Sequence, residues 1–270
     1  MPELPEVETV RRTLLKLVLN KTIKDVYYDY DKMIKMDTDL FVLRIKGQTI
    51  YNIERYGKYL VFILDKDVLI MHMRMEGKFY IKTNQDEISP YEHVIFSFTD
   101  HSEMRYHDVR KFGTIHLIDK NKYKQTYPLN VLGKEPKDLN YLDFYQKIHH
   151  KKIAIKTALL DQHIISGLGN IYVDETLFLS KIAPRKKANL ITKQQAKTLI
   201  ESAVKVLDKA ILLGGTTIRS YTSSLGVHGR FQNELLVHTK KDEPCPICGT
   251  TIIKTKVGGR GTYVCPTCQK

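Results

Sequence analysis

Apolar and polar positions alternate along this chain with three successive periods. Val7, Val10, Leu14 and Leu17 recur at three- and four-residue intervals, with Glu and Arg between them, and predict an amphipathic helix over 3–19. The acidic residues of its first turn suit the positive end of the helix dipole. From about 22 to 120 the runs become short and alternating or wholly apolar, at 40–45, 49–53, 59–64, 68–73, 79–82, 93–99 and 114–118. Gly, Asp and Asn punctuate them, and several strands at this spacing predict a sandwich or barrel. From about 137 the helical period returns over 142–149, 154–163, 170–180 and 192–213. Gly167 and Gly169 interrupt this block, and Gly214 and Gly215 stop it. Residues 220–234 carry Ser, Gly and His without a period and predict a loop. Short β-like runs at 234–239, 250–254 and 262–264 then surround the four cysteines. No repeat or low-complexity tract is present.

Charge adds a partner to this α+β, multidomain outline. The chain has 43 Lys and Arg against 30 Asp and Glu, a formal net charge of +13. The excess is uneven: 22 basic and 19 acidic residues fall in 1–134, but 21 and 11 in 135–270. A basic second half is the footprint of a polyanion, most often nucleic acid. The longest apolar run, 59–64, is far short of the ~20 residues of a membrane helix. Glu3, Glu6 and Glu8 stand where a signal peptide would carry basic residues, so a reducing cytoplasmic setting is expected, with the cysteines as thiols.

Those cysteines form two C-x-x-C pairs, Cys245/Cys248 and Cys265/Cys268, sixteen residues apart. This is the spacing of a structural zinc site, and four thiolates leave no open position for catalysis. Some thirty surrounding residues are too few for a core, so one zinc ion should supply much of the folding energy there. Between the pairs, Arg260 stands among Gly258, Gly259 and Gly261, suited to reaching a phosphate and equally to being a plain turn arginine.

The chain opens Met1-Pro2-Glu3-Leu4-Pro5-Glu6. Removal of Met1 would leave Pro2 a free secondary amine, whereas retention would leave an amide. An α-amino group titrates at ~7.7–8.0, so a useful fraction is nucleophilic at pH 7. Such an amine attacking an aldehyde-level carbon gives an iminium, an electron sink for eliminations. Glu3 could shuttle protons beside it, and Glu6, one helical turn on, could orient the site. Read locally, Pro and Glu are also simply good first-turn residues.

Three motifs taken together resemble the formamidopyrimidine-DNA glycosylase family over essentially the whole chain. They are the opening Pro2-Glu3-Leu4-Pro5-Glu6-Val7-Glu8-Thr9, the central Gly167-Leu168-Gly169-Asn170-Ile171-Tyr172-Val173-Asp174-Glu175, and the four-Cys finger with Gly259-Arg260-Gly261-Thr262. The resemblance implies an N-terminal β-sandwich flanked by helices (1–130), a helix-two-turn-helix domain (131–225) and a C-terminal β-hairpin zinc finger (236–270). Double-stranded DNA with a damaged base would lie in the cleft between two lobes. It implies a monomeric, bacterial-type cytoplasmic repair enzyme. Such an enzyme removes 8-oxoguanine and ring-opened purines, then cuts the strand by β- and δ-elimination.

Residue roles follow from the same resemblance. Pro2 is expected as the Schiff-base nucleophile, Glu3 as the proton donor that opens the sugar, and Lys58 in β-elimination and phosphate contact. Arg260 would grip phosphates and assist δ-elimination, with Glu6 in support. His93, Arg110, Lys151 and Asn170 are expected at DNA, although His93 reads equally as a buried strand histidine. Met75, Arg110 and Phe112 would fill the hole left by an extruded base. Thr216, Thr217, Ile218, Arg219, Ser220 and Tyr221 resemble the loop that closes over the lesion. One departure is local: His238-Thr239-Lys240 replaces a more usual Tyr-Gly-Arg, which puts a backbone or phosphate contact there in doubt. Two rival readings remain, an enzyme resembling endonuclease VIII that prefers oxidised pyrimidines, and a non-catalytic zinc-containing DNA-binding protein.

Overall fold

A computed structural model describes residues 1–216 and 229–270. The chain divides into two compact units. One comprises Met1–Asn130 with Thr216 and Gly229; the other comprises Val131–Gly215 and Arg230–Lys270.

The first unit is built on two four-stranded antiparallel sheets, β1-β6-β7-β5 and β2-β3-β4-β8. Its strands are β1 (Ile23–Tyr28), β2 (Asn52–Tyr56), β3 (Tyr59–Ile63), β4 (Asp67–His72), β5 (Lys78–Thr83), β6 (Glu92–Phe98), β7 (Ser102–His107) and β8 (Thr114–Asp119). Because strand side chains alternate between faces, one register row from each sheet supplies the core. Ile53, Phe62, Leu69 and Leu117 lie opposite one another across the second sheet. Val26, Phe96, Met104 and Ile81 do so across the first. Seven of these belong to one buried hydrophobic cluster and the partly buried Ile81 packs against it, the filling of a sandwich.

Helix α1 (Leu4–Val18) adds Val7, Val10, Leu14 and Val18 to that cluster. A polar clamp fixes its outer side. The buried Glu8 carboxylate bonds Arg11, Arg12 and the β2 residue Arg55 at 2.7–3.2 Å. Burial would raise the Glu8 pKa, but the hydrogen bonds of Arg11 and Arg12 and the charge of Arg55 outweigh it and hold it at about 2.

Three local expectations change in this unit. The run 40–45 is not a strand but part of α2 (Thr38–Ile45). The Asp37 side chain caps it by accepting from Leu40 N at 2.9 Å, and Phe41 and Ile45, one turn apart, are its buried residues, with the partly buried Val42 packed beside them. Strand β7 is hidden in the sequence because Ser102-Glu103-Met104-Arg105 does not read as apolar alternation. Arg105 is nonetheless 1% exposed, with its guanidinium satisfied by Glu92, Glu103 and the carbonyls of Thr83, Asp86 and Glu87. Strand β1, equally unmarked, pairs with β6.

The second unit holds α3 (Tyr141–Ile148), α4 (Ile155–Leu160), α5 (Asn170–Leu179), α6 (Lys193–Leu212) and the hairpin β9 (Ile253–Val257)–β10 (Arg260–Val264). A Thr192/Gln195 capping box starts α6, and Gly214 and Gly215 end it at φ of 76° and 77°. Helix α5 is buried on all sides from Tyr172 to Phe178, including Asp174 and Glu175. The Glu175 carboxylate explains why 234–239 is not a strand. The backbone N–H groups of Leu236, Val237 and His238 donate to Glu175 at 2.8–3.0 Å instead of to a neighbouring strand. Residues Phe231–Glu234 form a 3-10 turn.

The Glu8 clamp gives a pH signature. Its folded pKa lies below the ordinary carboxylate value, so its stabilisation is full above pH ~5 and is lost as pH falls toward 2. Glu8→Gln should therefore lower the denaturation midpoint at pH 7, and this difference from the parent protein should shrink steadily between pH 5 and pH 2. Unfolding titrations of both proteins across that range check it; a pH-independent difference would contradict the clamp.

Candidate functional site

The first turn of α1 is where the sequence placed its nucleophile. Glu3 is the N-cap, and Glu3 and Glu6 form a reciprocal capping box with Glu3 N donating to Glu6 Oε2 at 2.9 Å. The other Glu6 oxygen accepts from Thr216 N at 2.7 Å and from Thr216 Oγ1 at 3.1 Å. Glu3 and Glu6 are 3% and 4% exposed, and Pro2 is buried beside them, while Met1 is 45% exposed. Glu6 is thus an anchor that ties the chain start to the first residue of the expected closing loop. Thr217, Ile218, Arg219, Ser220 and Tyr221 lie outside the described residues.

Lys58 follows Gly57, whose φ of 55° makes the tight β2–β3 turn, and is 5% exposed. His72 sits across the sheet from Tyr59, with the rings 4.5 Å apart. Burial, then the charges of Arg74 and Lys58, push its pKa down to about 3, so it is neutral and its Nδ1 accepts from Arg74 N at 2.9 Å. No sequence motif marked His72.

Met75 and the Arg110/Phe112 pair occupy two loops, 73–77 and 108–113. The second is wrapped around the fully buried Asp108. That carboxylate accepts from the backbone N–H groups of Arg110, Phe112 and Gly113 at 2.8–3.1 Å. Lys111 sits at a φ of 56°, bonded to the Asp108 carbonyl. The loop presents Phe112 50% exposed with the Arg110 guanidinium 4.8 Å from its ring centroid. Both loops close on one buried side chain, Tyr106. A Cβ added at Gly77 or at Gly113 would overlap its hydroxyl oxygen. Tyr106 and Asp108 are positioning groups that sequence reasoning missed, because each reads there as an ordinary strand or turn residue.

His93 is 0% exposed, inside β6, with Nδ1 2.7 Å from Asp29 Oδ1 and Nε2 buried without a hydrogen-bond partner among the described residues.

In the second unit Lys151 is half-buried just after α3, its N–H bonded to the Ile148 carbonyl. Asn170 is the first residue of α5 and donates from Nδ2 to the Gly261 carbonyl at 3.0 Å. Lys156, 0% exposed, donates to that same carbonyl at 3.0 Å and to Asp174 at 2.7 Å. The other Asp174 oxygen is 2.8 Å from His238 Nδ1, whose ring lies 4.9 Å from Tyr263. His238 is thus tied into the interior of this unit. The hairpin turns at Gly258 and Gly259, at φ of 53° and 78°, and a Cβ at Gly258 would overlap Thr157 Oγ1. Arg260 is therefore an exposed guanidinium on an immobilised backbone.

The four cysteines come together, their sulfurs all within 4.8 Å of one another. Cys245 and Cys268 are 3.8 Å apart, and Cys248 and Cys265 are 3.5 Å apart. Four sulfurs at ~2.3 Å from a tetrahedral zinc stand ~3.8 Å from one another, so the donor set fits the ion. The finger is a structural zinc site, packed on Phe178, Val237 and Ile252.

Two outcomes check this geometry. Gly113→Ala should cost roughly 1–3 kcal/mol through overpacking against Tyr106. Combining it with Tyr106→Leu, which removes the hydroxyl and the two ring carbons that would also lie under 3.0 Å from the new methyl group, should cost less in thermal unfolding than the sum of the two single losses. Strictly additive losses would mean that the methyl group meets something else. The purified chain should also release one zinc per molecule on unfolding with a chelator, and Cys265→Ser should release less than half as much.

The same architecture recurs in known proteins. Residues 1–115 match the formamidopyrimidine-DNA glycosylase N-terminal domain, 132–222 its H2TH domain, and 242–270 the zinc finger found in FPG and IleRS. The formamidopyrimidine-DNA glycosylase of Oceanobacillus iheyensis is 49% identical, with 100% of this chain and 98% of the relative aligned. That of Shouchella clausii is 50% identical, with 100% and 99% aligned. Among solved structures, a Lactococcus lactis FPG mutant in complex with a Fapy-dG containing DNA is similar with a TM-score of 0.94 at 41% identity, covering 100% of both chains. MutM in complex with carbocyclic 8-oxo-G containing DNA gives 0.92 at 40%, again over 100% of both. Near-half identity carried from end to end assigns the chain its lineage: it belongs to the formamidopyrimidine-DNA glycosylase family.

Proposed function

We propose that this protein excises oxidised purines, 8-oxoguanine and formamidopyrimidines, from duplex DNA and then cleaves the strand, with the Pro2 amine as nucleophile. The observation that carries this is the first turn of α1. There Pro2 and Glu3 are buried and held by a Glu6 carboxylate already engaged with Glu3 N and Thr216. Relatives solved with Fapy-dG and 8-oxo-G containing DNA support the substrate class.

Removal of Met1 exposes the secondary amine. Its nitrogen attacks C1′ of the lesion; the C1′–N9 bond breaks, and its electron pair and a proton leave with the base. Glu3 delivers a proton to the ring oxygen as the sugar opens, which leaves an iminium between Pro2 and C1′. The iminium acidifies C2′–H, so loss of that proton expels the 3′-phosphate (β-elimination). A second proton loss expels the 5′-phosphate (δ-elimination), and hydrolysis returns the free amine. Lys58 serves the first elimination and Arg260 the second, while Asn170 and Lys151 bind phosphates. Met75, Arg110 and Phe112 fill the vacated stack, with Arg110 bonding the orphaned base. Thr216 begins the loop, through Tyr221, that closes over the lesion. The zinc finger provides a rigid carrier for Arg260 and takes no part in bond making. We assign the chemistry to residues 1–130, phosphate binding to 131–225 and the arginine carrier to 236–270. We read the enzyme as a monomer of the bacterial cytoplasm; the bacterial origin of its relatives supports the bacterial setting.

Borohydride reduction of the enzyme on a duplex with one 8-oxoguanine opposite cytosine should give a covalent adduct that mass mapping assigns to Pro2. Glu3→Gln should bind the duplex as well as the parent does but lose at least ~100-fold in formation of the trapped adduct. Tight binding with no adduct would sink the lyase chemistry and favour the non-catalytic DNA-binding reading.

A further inference from the structure

The second sheet carries an open pocket of about 550 Å³. Ile115 and Leu117 of β8 point into the sandwich core, so Thr114 and His116 point the other way, and the pocket lies on that outer face. Its walls come entirely from the first unit: Lys35, Tyr59, Arg74, His116, Thr126 and Tyr127 are among them.

No carboxylate lines this space, and two cations do. Neither Lys35 nor Arg74 is paired with a carboxylate among the described residues. Lys35 Nζ donates to the Lys32 carbonyl at 2.6 Å. Its backbone is pinned to β8, with Lys35 N bonded to the Ile115 carbonyl at 2.8 Å. Arg74 is held at a φ of 52° by the bond to His72. Both charges bear on His116: burial first, then Lys35 and Arg74, push it down to about 4. At neutral pH His116 is therefore an uncharged hydrogen-bonding group, and the pocket's net charge is that of the two cations. Tyr127 is 59% exposed at the rim, its ring 5.8 Å from His116 at 66°. Unpaired cations beside an exposed aromatic ring are the pieces from which proteins build contacts to nucleotides, charge for the phosphate and a ring face for the base. The volume is in the range of small-ligand sites.

We propose that this pocket is a nucleotide-binding subsite, in which Lys35 and Arg74 take a phosphate and the Tyr127 ring takes the attached base. Arg74 adjoins Met75, so a flanking nucleotide of bound DNA is one source of that chemistry; this arm rests on the function proposed above. A free nucleotide is the other source and is independent of it.

The test uses the full-length, zinc-loaded protein and three variants: Lys35→Glu, Tyr127→Ala, and Lys32→Glu as an exposed neighbour outside the pocket. Two probes are titrated, a fluorescent duplex with one stable abasic analogue at several salt concentrations, and dGMP by calorimetry. If flanking DNA occupies the pocket, Lys35→Glu weakens the duplex tenfold or more and lowers the salt slope by about one phosphate's worth. Tyr127→Ala then weakens it at unchanged slope, and Lys32→Glu does neither. If a free nucleotide is the occupant, dGMP binds the parent protein, loses at least tenfold with Lys35→Glu and with Tyr127→Ala, and duplex affinity stays unchanged. Either pattern supports the subsite. Equal effects of Lys32→Glu and Lys35→Glu on the duplex, or no effect of any variant together with no dGMP binding, overturn it. Borohydride trapping on the same samples separates this result from the fate of the glycosylase reading.

Discussion

Buried carboxylates that accept backbone N–H groups are the constraint on which the functional surfaces of this protein depend. Glu6 takes the amides of Glu3 and Thr216, Asp108 those of Arg110, Phe112 and Gly113, and Glu175 those of Leu236, Val237 and His238. Each closes a segment that has no strand or helix partner to satisfy its amides. Burying a carboxylate is costly unless its oxygens are fully engaged. Hydrogen bonds to a charged group contribute about 1.5–3 kcal/mol each, and three of them offset much of that cost. The balance shows in Glu175, where burial still pushes the carboxyl up despite three amide donors. A carboxylate so placed also holds its loop in one shape, since no other arrangement of those amides satisfies it.

The same constraint explains how far the sequence could be read. Features set by local periodicity were visible in it: the helix from Leu4, the long helix ended by Gly214, the strands at 59–63 and 67–72, and the two cysteine pairs. The zinc site was legible because its geometry is encoded almost wholly by spacing. Features set by one distant partner were not. The run 234–239 has β-like composition, and only the carboxylate of Glu175, 61 or more residues away, diverts its amides. Residues 40–45 look like a strand until Asp37 is seen capping a helix. β7 escapes notice because Arg105, a residue that reads as exposed, is buried in a set of acceptors drawn from three other segments. For His93 the buried strand position was legible as one of two readings, but its Asp29 partner, 64 residues away, was not.

Within the candidate site the division is similar. Pro2 and Glu3 were legible as a motif, but Glu6 as the tie between the chain start and Thr216 is a tertiary fact. Arg260 was legible among its glycines. That its hairpin rests on Lys156 and Asn170, through one carbonyl of Gly261, was not. The departure at 238 also takes on physical meaning here. An imidazole in that place can share the Asp174 carboxylate with Lys156, so the local substitution is absorbed by a charge already buried for another purpose.

An exposed Phe112 ring would ordinarily fold back onto the surface to escape water. It does not, because the amides on either side of it are fixed by Asp108 and its face is covered by the Arg110 guanidinium. Gly77 and Gly113 meanwhile let both probing loops approach Tyr106 more closely than any other residue would permit. The ordering of these side chains is thus completed in the fold rather than at the moment of contact, which removes a cost of about 0.5–1.5 kcal/mol per side chain from association. Arg260 differs, because the paired strands fix its backbone while its side chain stays exposed. Under the function proposed above, in which many undamaged base pairs are tested for each damaged one, such pre-ordered side chains are the economical arrangement. Ordering done once in folding is not repeated at every site inspected, and the energy of a true fit remains available to hold the lesion at the amine.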